Sequence, residues 1–417
     1  ATIAGEETIR TQLSWHQEGE PIAWEILYVD TEQKIENGTI IEVNTNPCIL
    51  SDIPVGRPLD FYVRAVCSDN DMSSWSEPIT YIPDKLHWTE VVTAQPVGYT
   101  EDEEGNVFIS SAEGLAWLSS VVNHLNGAQS KDFWSKTVYL LNDIDVSEYR
   151  WTPIGNSWEN SFTGGTFDGK QHKIIGLYCN ELSDNMGLFG CATNGCIKNI
   201  SILHCNVLGE NKIGAIVGWT SSDIINCSVE GNVYGIDNVG GLVGKHDSGD
   251  IITIANSFYI GEVAARRDIT KANTQVGYVG GICGVVFNDS IVNCYVVSQI
   301  TDDGFCSGII TGTGSAPIAV KNCYYKDYNT NLLVTSDNCI RSDNSSFTGS
   351  GISWILNTPP YVNGAFRTDL VDALNAWVNA NNSEGQYLHW VADTAGVNGG
   401  FPIFAEEDTR YIITFCN

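Results

Sequence analysis

Methionine is almost missing from this chain of 417 residues, which holds two, and basic residues are few, with 21 Lys+Arg against 50 Asp+Glu. The resulting net charge of −29 repels phosphate backbones and argues against a nucleic-acid partner. Charge of either sign is scarce, at 17% against the ~25% of an ordinary globular chain. No apolar run reaches the ~18 residues of a membrane-crossing helix, so no transmembrane segment is expected. A start at Ala1, with neither Met nor a leader segment, suggests a processed or truncated form. The compact catalytic signatures are missing too: no His-Glu-x-x-His, Gly-x-Ser-x-Gly, Cys-x-x-Cys or EF-hand loop. The 13 cysteines are an odd number without a tight spacing framework, so they do not define a disulfide scaffold.

What is present points to β structure. With 43% hydrophobic residues and 12 Trp, the chain has enough apolar surface for a large core and roughly two or three domains. Abundant Gly, Thr, Tyr and Trp describe short strands joined by tight turns. Over residues 1–84, Trp24-Glu-Ile-Leu-Tyr-Val29 and Leu59-Asp-Phe-Tyr-Val-Arg-Ala-Val66 alternate with period two between turn signals such as Asn37-Gly38. That pattern predicts a small sandwich. Leu13-Ser-Trp15, the stretch from Leu50 to Gly56 leading into Tyr62-Val-Arg-Ala65, and Ser74-Trp-Ser-Glu-Pro78 together resemble a fibronectin type III domain. The resemblance implies a spacer or adhesion module, with Tyr62 at the tyrosine corner.

Beyond residue 85 two short phrases repeat in phase. The first runs Gly187-Leu-Phe-Gly190, Gly214-Ala-Ile-Val-Gly218, Gly240-Gly-Leu-Val-Gly244, Gly280-Gly-Ile-Cys-Gly284 and a looser Ser307-Gly-Ile-Ile-Thr-Gly312. The second contains Asn199, Asn226, Asn256, Asn293 and Asn322, at steps of 27, 30, 37 and 29 residues. A period in this range with no internal helix predicts stacked β coils, each burying its apolar edge only against its neighbours. Paired glycines then serve corners that need positive φ, and the asparagines a corner where stacked amides bond one another. The columns Ile200, Cys227, Ser257, Cys294, Cys323 and Ile202, Val229, Tyr259, Val296, Tyr325 lie two residues apart and share the inward face. The cysteines among them are expected as buried thiols.

These phrases, with the opening Trp151-Thr-Pro-Ile-Gly155 and Thr163-Gly-Gly-Thr-Phe-Asp-Gly-Lys-Gln-His172, resemble the GLUG-motif repeats of bacterial surface and secreted proteins. The resemblance covers about residues 109–325 and implies a β-helix-like solenoid in a cell-surface setting, with no catalytic residues to carry over. The expected organisation is a fibronectin type III-like domain at 1–84, then a solenoid over 85–417 with repeats at about 150–325. An N-terminal cap at about 109–145 includes a helix near 111–125, opened by Ser110-Ser-Ala-Glu113. A C-terminal cap at about 326–417 includes a helix near 368–379. Both helices are expected to cover the solenoid's ends or flanks.

The outward column between the two inward ones reads Ser201, Ser228, Phe258, Tyr295, Tyr324. Three consecutive rings about 5 Å apart could stack on sugar rings or an extended partner, which makes Phe258, Tyr295 and Tyr324 the candidate binding residues. The competing arrangement has the Trp-rich C-terminal segment covering them. Gly164-x4-Gly169-Lys170 copies part of a phosphate loop but ends in Gln171 within a β setting, and reads as a turn. His246-Asp247 reads as a solvated turn, since neighbours on a strand face opposite ways. Glu101-Asp-Glu-Glu104 and Asp302-Asp303 read as solvated loops, with weak calcium binding as the alternative and no other metal or cofactor expected.

The function read from sequence is thus a non-enzymatic, adhesin-like protein of the cell surface or extracellular space. It is expected to be a monomer that binds glycans or extracellular proteins. A carbohydrate-active enzyme on a β-helix, or a purely structural stalk, are the alternatives.

Overall fold

The computed structural model describes residues 8–406 except 17–18, 20, 32, 56–58, 69–70, 82–83, 266–276, 288, 302–304, 314–318, 328–351, 355–360, 363–364 and 367–369. It falls into two compact units, Ala1–Leu86 and His87–Asn417. Both are built mainly of strands.

In the first unit Thr8–Leu13 pairs antiparallel with Cys48–Pro54. A second antiparallel sheet runs Thr39–Val43, Ala23–Asp30, Leu59–Ser68, with Asp71–Met72 and Ile79–Tyr81 along its far edge. Ile26, Leu59 and Phe61 from one sheet meet Cys48, Leu50 and Ile53 from the other in one core, so the two sheets form a sandwich. The alternation over Leu59–Ser68 has the opposite phase to the tyrosine-corner assignment. Phe61 points inward while Tyr62, beside Leu27 in register, lies on the outer face. A corner hydrogen bond needs a hydroxyl, and the ring in that inward place has none.

The second unit is a stack of parallel strands, a β-solenoid of about six turns. Its three sheets each collect one segment per turn. The first runs through Thr137–Leu140, Thr166–Asp168, Phe189–Lys198 and Val217–Ile225, then splits into paired short strands such as Val243–Lys245 and Thr253–Ala255. The second holds Lys173–Ile175, Ser201–Leu208, Ser228–Gly235, Phe258–Ala265, Tyr295–Thr301 and Cys323–Asp327. The third is short: Asn211–Gly214, Asp237–Gly240, Tyr278–Gly280 and Phe305–Ser307. Pairing keeps the register of the repeat, with Ser228, Phe258, Tyr295 and Tyr324 side by side on successive turns. Both expected inward columns are buried, and they join one continuous core.

Apart from Gly187 (φ 158°), the described glycines of the repeated phrase serve space, not positive φ. Gly214, Gly240 and Gly280 keep ordinary φ, but a Cβ at Gly240 would lie 2.0 Å from the Val243 carbonyl oxygen and 2.7 Å from Gly284 N. At Gly241 and Gly308 it would strike the rings of Tyr259 and Tyr325. Left-handed backbone falls instead on the asparagines. Gly240→Ala should therefore lower stability by about 2–3 kcal/mol through overpacking. Gly249→Ala, where nothing lies within 4 Å of the new methyl, serves as control. Urea denaturation curves compare the two, and equal midpoints would show that the corner has room.

The first helix spans Ala112–Asn123, with Ser111 as N-cap, one residue later than the expected capping box; its Oγ accepts from Gly114 N at 3.3 Å. Leu115, Leu118, Val121 and Val122 enter the solenoid core at its N-terminal side. Ser119 Oγ and Asn123 Nδ2 reach the carbonyls of Thr152 and Pro153, just before the first full coil. The second helix, Leu370–Asn381, lies along a flank, against Phe258, Tyr295 and Tyr324. Beyond the repeats, Ile352–Trp354 adds one more parallel strand to Cys323–Asp327.

Candidate functional site

The flank of the second sheet holds most of the residues singled out from sequence. Asn199, Asn226, Asn256, Asn293 and Asn322 all take φ between 51° and 55°, the left-handed conformation that asparagine tolerates better than other residues with a Cβ. Their amides form one chain of hydrogen bonds. Asn322 Nδ2 donates to Asn293 Oδ1 (2.5 Å), Asn293 to Asn256 (2.6 Å), Asn256 to Asn226 (2.7 Å) and Asn226 to Asn199 (2.7 Å). The chain ends on a carboxylate: Asn199 Nδ2 donates to Asp168 Oδ1 at 2.9 Å. Asp168 is buried, with the ammonium groups of Lys170 and Lys198 at 3.6 and 3.7 Å. Lys170 takes φ 52° in a turn between strands, which disposes of the phosphate-loop pattern.

Beside this ladder the aromatic column forms as expected and then closes. The Phe258 and Tyr295 rings stack at 4.8 Å and 6°. Phe258 is 6% exposed, Tyr295 0% and Tyr324 1%. Trp390 lies over both stacked rings, at 5.8 and 5.6 Å, with Phe401 and Phe404 completing the cover. The assignment of Phe258, Tyr295 and Tyr324 as an exposed binding row is therefore corrected: in the folded chain they are the inner half of a second hydrophobic core. Polar contacts lock the cover in place. Trp390 Nε1 donates to Asn256 Oδ1 (2.7 Å), Asn256 Nδ2 donates to Leu388 O (2.9 Å) and Asn226 Nδ2 to Gln386 O (2.8 Å). Trp390 lies 66 to 132 residues beyond the rings of the column, out of reach of any local pattern.

The cysteine rungs are thiols. Cys227, Cys294 and Cys323 are buried and unbridged, and each donates to the carbonyl two residues earlier, at 3.4, 3.3 and 3.4 Å. Burial pushes the Cys227 and Cys294 thiols far above their usual range, so neither forms a thiolate at neutral pH. Cys67 is exposed. At pH 8 a maleimide should thus modify Cys67 within minutes and leave Cys227, Cys294 and Cys323 untouched until denaturant is added. Peptide mapping reads this, and labelled rungs in the native chain would mean that the coils open.

His246 is corrected from a solvated turn to a fully buried side chain. Its Nδ1 lies 2.7 Å from Asp289 Oδ2, and its Nε2 lies 2.8 Å from Ser248 Oγ. Asp289, equally buried, also accepts from Ile252 N and Phe287 N. Asp247 turns instead to Trp219 Nε1 and Lys245 Nζ. The order Ser248–His246–Asp289 is that of an acyl-transfer relay, but such a relay must let its base pass a proton to a leaving group. Here the imidazole is sealed at 0% exposure with both nitrogens engaged, so the arrangement fastens the loops of successive coils. Sequence alone offered no signal for it, because Asp289 lies 43 residues from its partner.

Of the acidic loops, Glu101 pairs with Lys131 at 2.5 Å, and Asp102 caps a turn through Asn106. Asp302 and Asp303 lie outside the described residues. Among the described residues no three His, Cys, Asp or Glu gather as metal ligands, and no helix is long and apolar enough to cross a membrane.

No family profile matches the chain. It is 35% identical to halomucin of Haloquadratum walsbyi over 117 residues, covering 25% of this chain and 1% of that protein. It is 33% identical over 102 residues to a candidate Gly-rich membrane protein of Evansella cellulosilytica, covering 22% of this chain and 12% of that one. The chain thus spans at most about an eighth of the length of these curated relatives. Among solved structures, a candidate immunoglobulin A1 protease from Bacteroides ovatus superposes with a TM-score of 0.53 at 20% identity. That match covers 74% of this chain and 94% of the other, a likeness of fold alone. Fold and relatives together fit a surface or structural β-solenoid protein.

Proposed function

We propose that the chain is a non-enzymatic, adhesin-like protein of the cell surface or extracellular space, with a fibronectin type III-like spacer ahead of a GLUG-type solenoid. One observation carries this reading: the side chains best suited to chemistry are spent on holding the coils together. The amides form the ladder, the aromatic column lies under its cover, and the histidine fastens two loops. A stiff rod of stacked coils, acidic and monomeric, presents its outer faces to neutral glycans or extracellular proteins and repels anionic partners. The two-sheet sandwich of the first unit and the repeated asparagine corner support the two family resemblances. A glycan and matrix-protein array probed with the full chain should give selective retention on a few partners. Turnover of mixed polysaccharides would overturn the non-enzymatic reading, and an array without any retention would leave a stalk.

A further inference from the structure

One aromatic side chain of the solenoid is held out where nothing in the fold requires it. Trp158, in the loop that leads into the strand Phe162–Thr163, is 61% exposed, an unusual cost for so large an apolar surface. The loop beneath it is pinned. Asn156 N donates to Asn123 Oδ1 (2.8 Å), Asn160 N to Ser157 Oγ (3.2 Å) and Asn160 Nδ2 to Asn156 Oδ1 (3.2 Å). The Trp158 ring stands edge-to-face against Trp219, with centroids 4.8 Å apart at 70°.

Trp219 is itself immobilised. It sits in Val217–Ile225 between Cys191 and Lys245 on neighbouring rungs, and is 8% exposed. Its indole N–H donates to Asp247 Oδ1 at 2.7 Å, and Asp247 Oδ2 meets Lys245 Nζ at 2.8 Å. The Asp247 side chain is 41% exposed and that of Lys245 23%, so the ion pair borders the indoles at the surface. An ammonium has three donors and a carboxylate several lone pairs, which gives this border both donors and acceptors for a ligand.

An indole face beside a fixed donor–acceptor pair matches a pyranose: C–H groups of one ring face lie on the aromatic surface while edge hydroxyls meet the charges. Two indoles bordered by one ion pair are too small for a protein partner, which needs about 800 Å² per side. A neighbouring carboxylate on a chain of net charge −29 disfavours acidic sugars. We propose that Trp158, braced by Trp219 and bordered by Asp247 and Lys245, binds one residue of a neutral pyranose glycan. This rests on the reading of the chain as a binding protein.

The test is isothermal titration of the full chain with cello-, manno-, laminari- and galacto-hexaose. Trp158→Ala, Asp247→Asn and Trp134→Ala are the variants, the last removing another half-exposed indole at 54%. At least one of the four sugars should bind, more than tenfold more weakly to Trp158→Ala, several-fold more weakly to Asp247→Asn, and unchanged to Trp134→Ala. Failure of all four to bind overturns the proposal, and so does binding that Trp158→Ala leaves intact. The array separates the two readings: retention there that survives Trp158→Ala keeps the adhesin and discards this site. A Trp158-dependent anionic glycan or protein discards the ligand class.

Discussion

Changing Asn256 to Ala should lower the stability of the second unit by about 4–6 kcal/mol, among the largest single effects in the chain. Asn256 is fully buried at the middle of the ladder, and its amide serves four partners. Nδ2 donates to Asn226 Oδ1 and to Leu388 O; Oδ1 accepts from Asn293 Nδ2 and from Trp390 Nε1. A buried group that loses its partner costs about 1–3 kcal/mol, and although relaxation recovers part of four such losses, the deficit stays large. Alanine at φ 51° adds about 1–2 kcal/mol of backbone strain. Asn256→Gly removes the same amide without that strain, so it should be the milder substitution by about 1 kcal/mol. Urea denaturation followed by circular dichroism measures both. A loss under 1 kcal/mol for Asn256→Ala would mean that water replaces the ladder and that the asparagines are only corner formers. Because the same amide binds Trp390, the variant should also loosen the cover, raising exposure of the stacked Phe258 and Tyr295 rings.

The ladder was legible because it repeats. Five asparagines in phase with an apolar strand leave one simple geometry, and their left-handed φ and amide chain follow from it. The inward columns were legible for the same reason, since side chains two residues apart on a strand share a face. The glycines misled because two physical demands, positive φ and close approach, both exclude a Cβ, and a sequence shows only the exclusion. Tyr62 misled because Phe61 and Tyr62 are adjacent aromatics, and one step of register inverts the face. The aromatic column was placed on the correct side of the sheet, yet its exposure depended on residues 386–404. Trp390 meets Asn256 across 134 positions that carry no repeat. Contacts of that kind are set by tertiary packing. His246 and Asp289 belong to the same category, each sitting in a loop between the paired short strands of the first sheet. The Trp158 platform escaped for a different reason: it occurs once, and a search for columns passes over single residues.

Removing the buried carboxylate that fastens those loops should be nearly as damaging as breaking the ladder. Asp289→Ala leaves His246 Nδ1 and the amides of Ile252 and Phe287 without their acceptor, the first two in a buried setting and the third half-buried. Truncating one partner of a buried, hydrogen-bonded pair costs about 3–5 kcal/mol, most of it from the groups left behind. Asp289→Asn is gentler by the logic of tautomers. Its oxygen still serves Ile252 N, and its amide can donate to an imidazole that moves its proton to Nε2, where Ser248 Oγ can accept. The amide of Phe287 remains unpaired, so a loss of about 1–2 kcal/mol is expected. Ser248→Ala should cost at most about 1 kcal/mol, because Ser248 is half-buried and water can reach the vacated place. The expected order of destabilisation is thus Asp289→Ala, then Asp289→Asn, then Ser248→Ala, read from denaturation midpoints of the full chain. The same proteins decide between fastener and relay. A fluorophosphonate should leave Ser248 unlabelled in the native chain, since the imidazole that would activate it has no room to release a proton. Labelling at Ser248 that vanishes in Asp289→Asn would show a working nucleophile and refute the structural role given to it here.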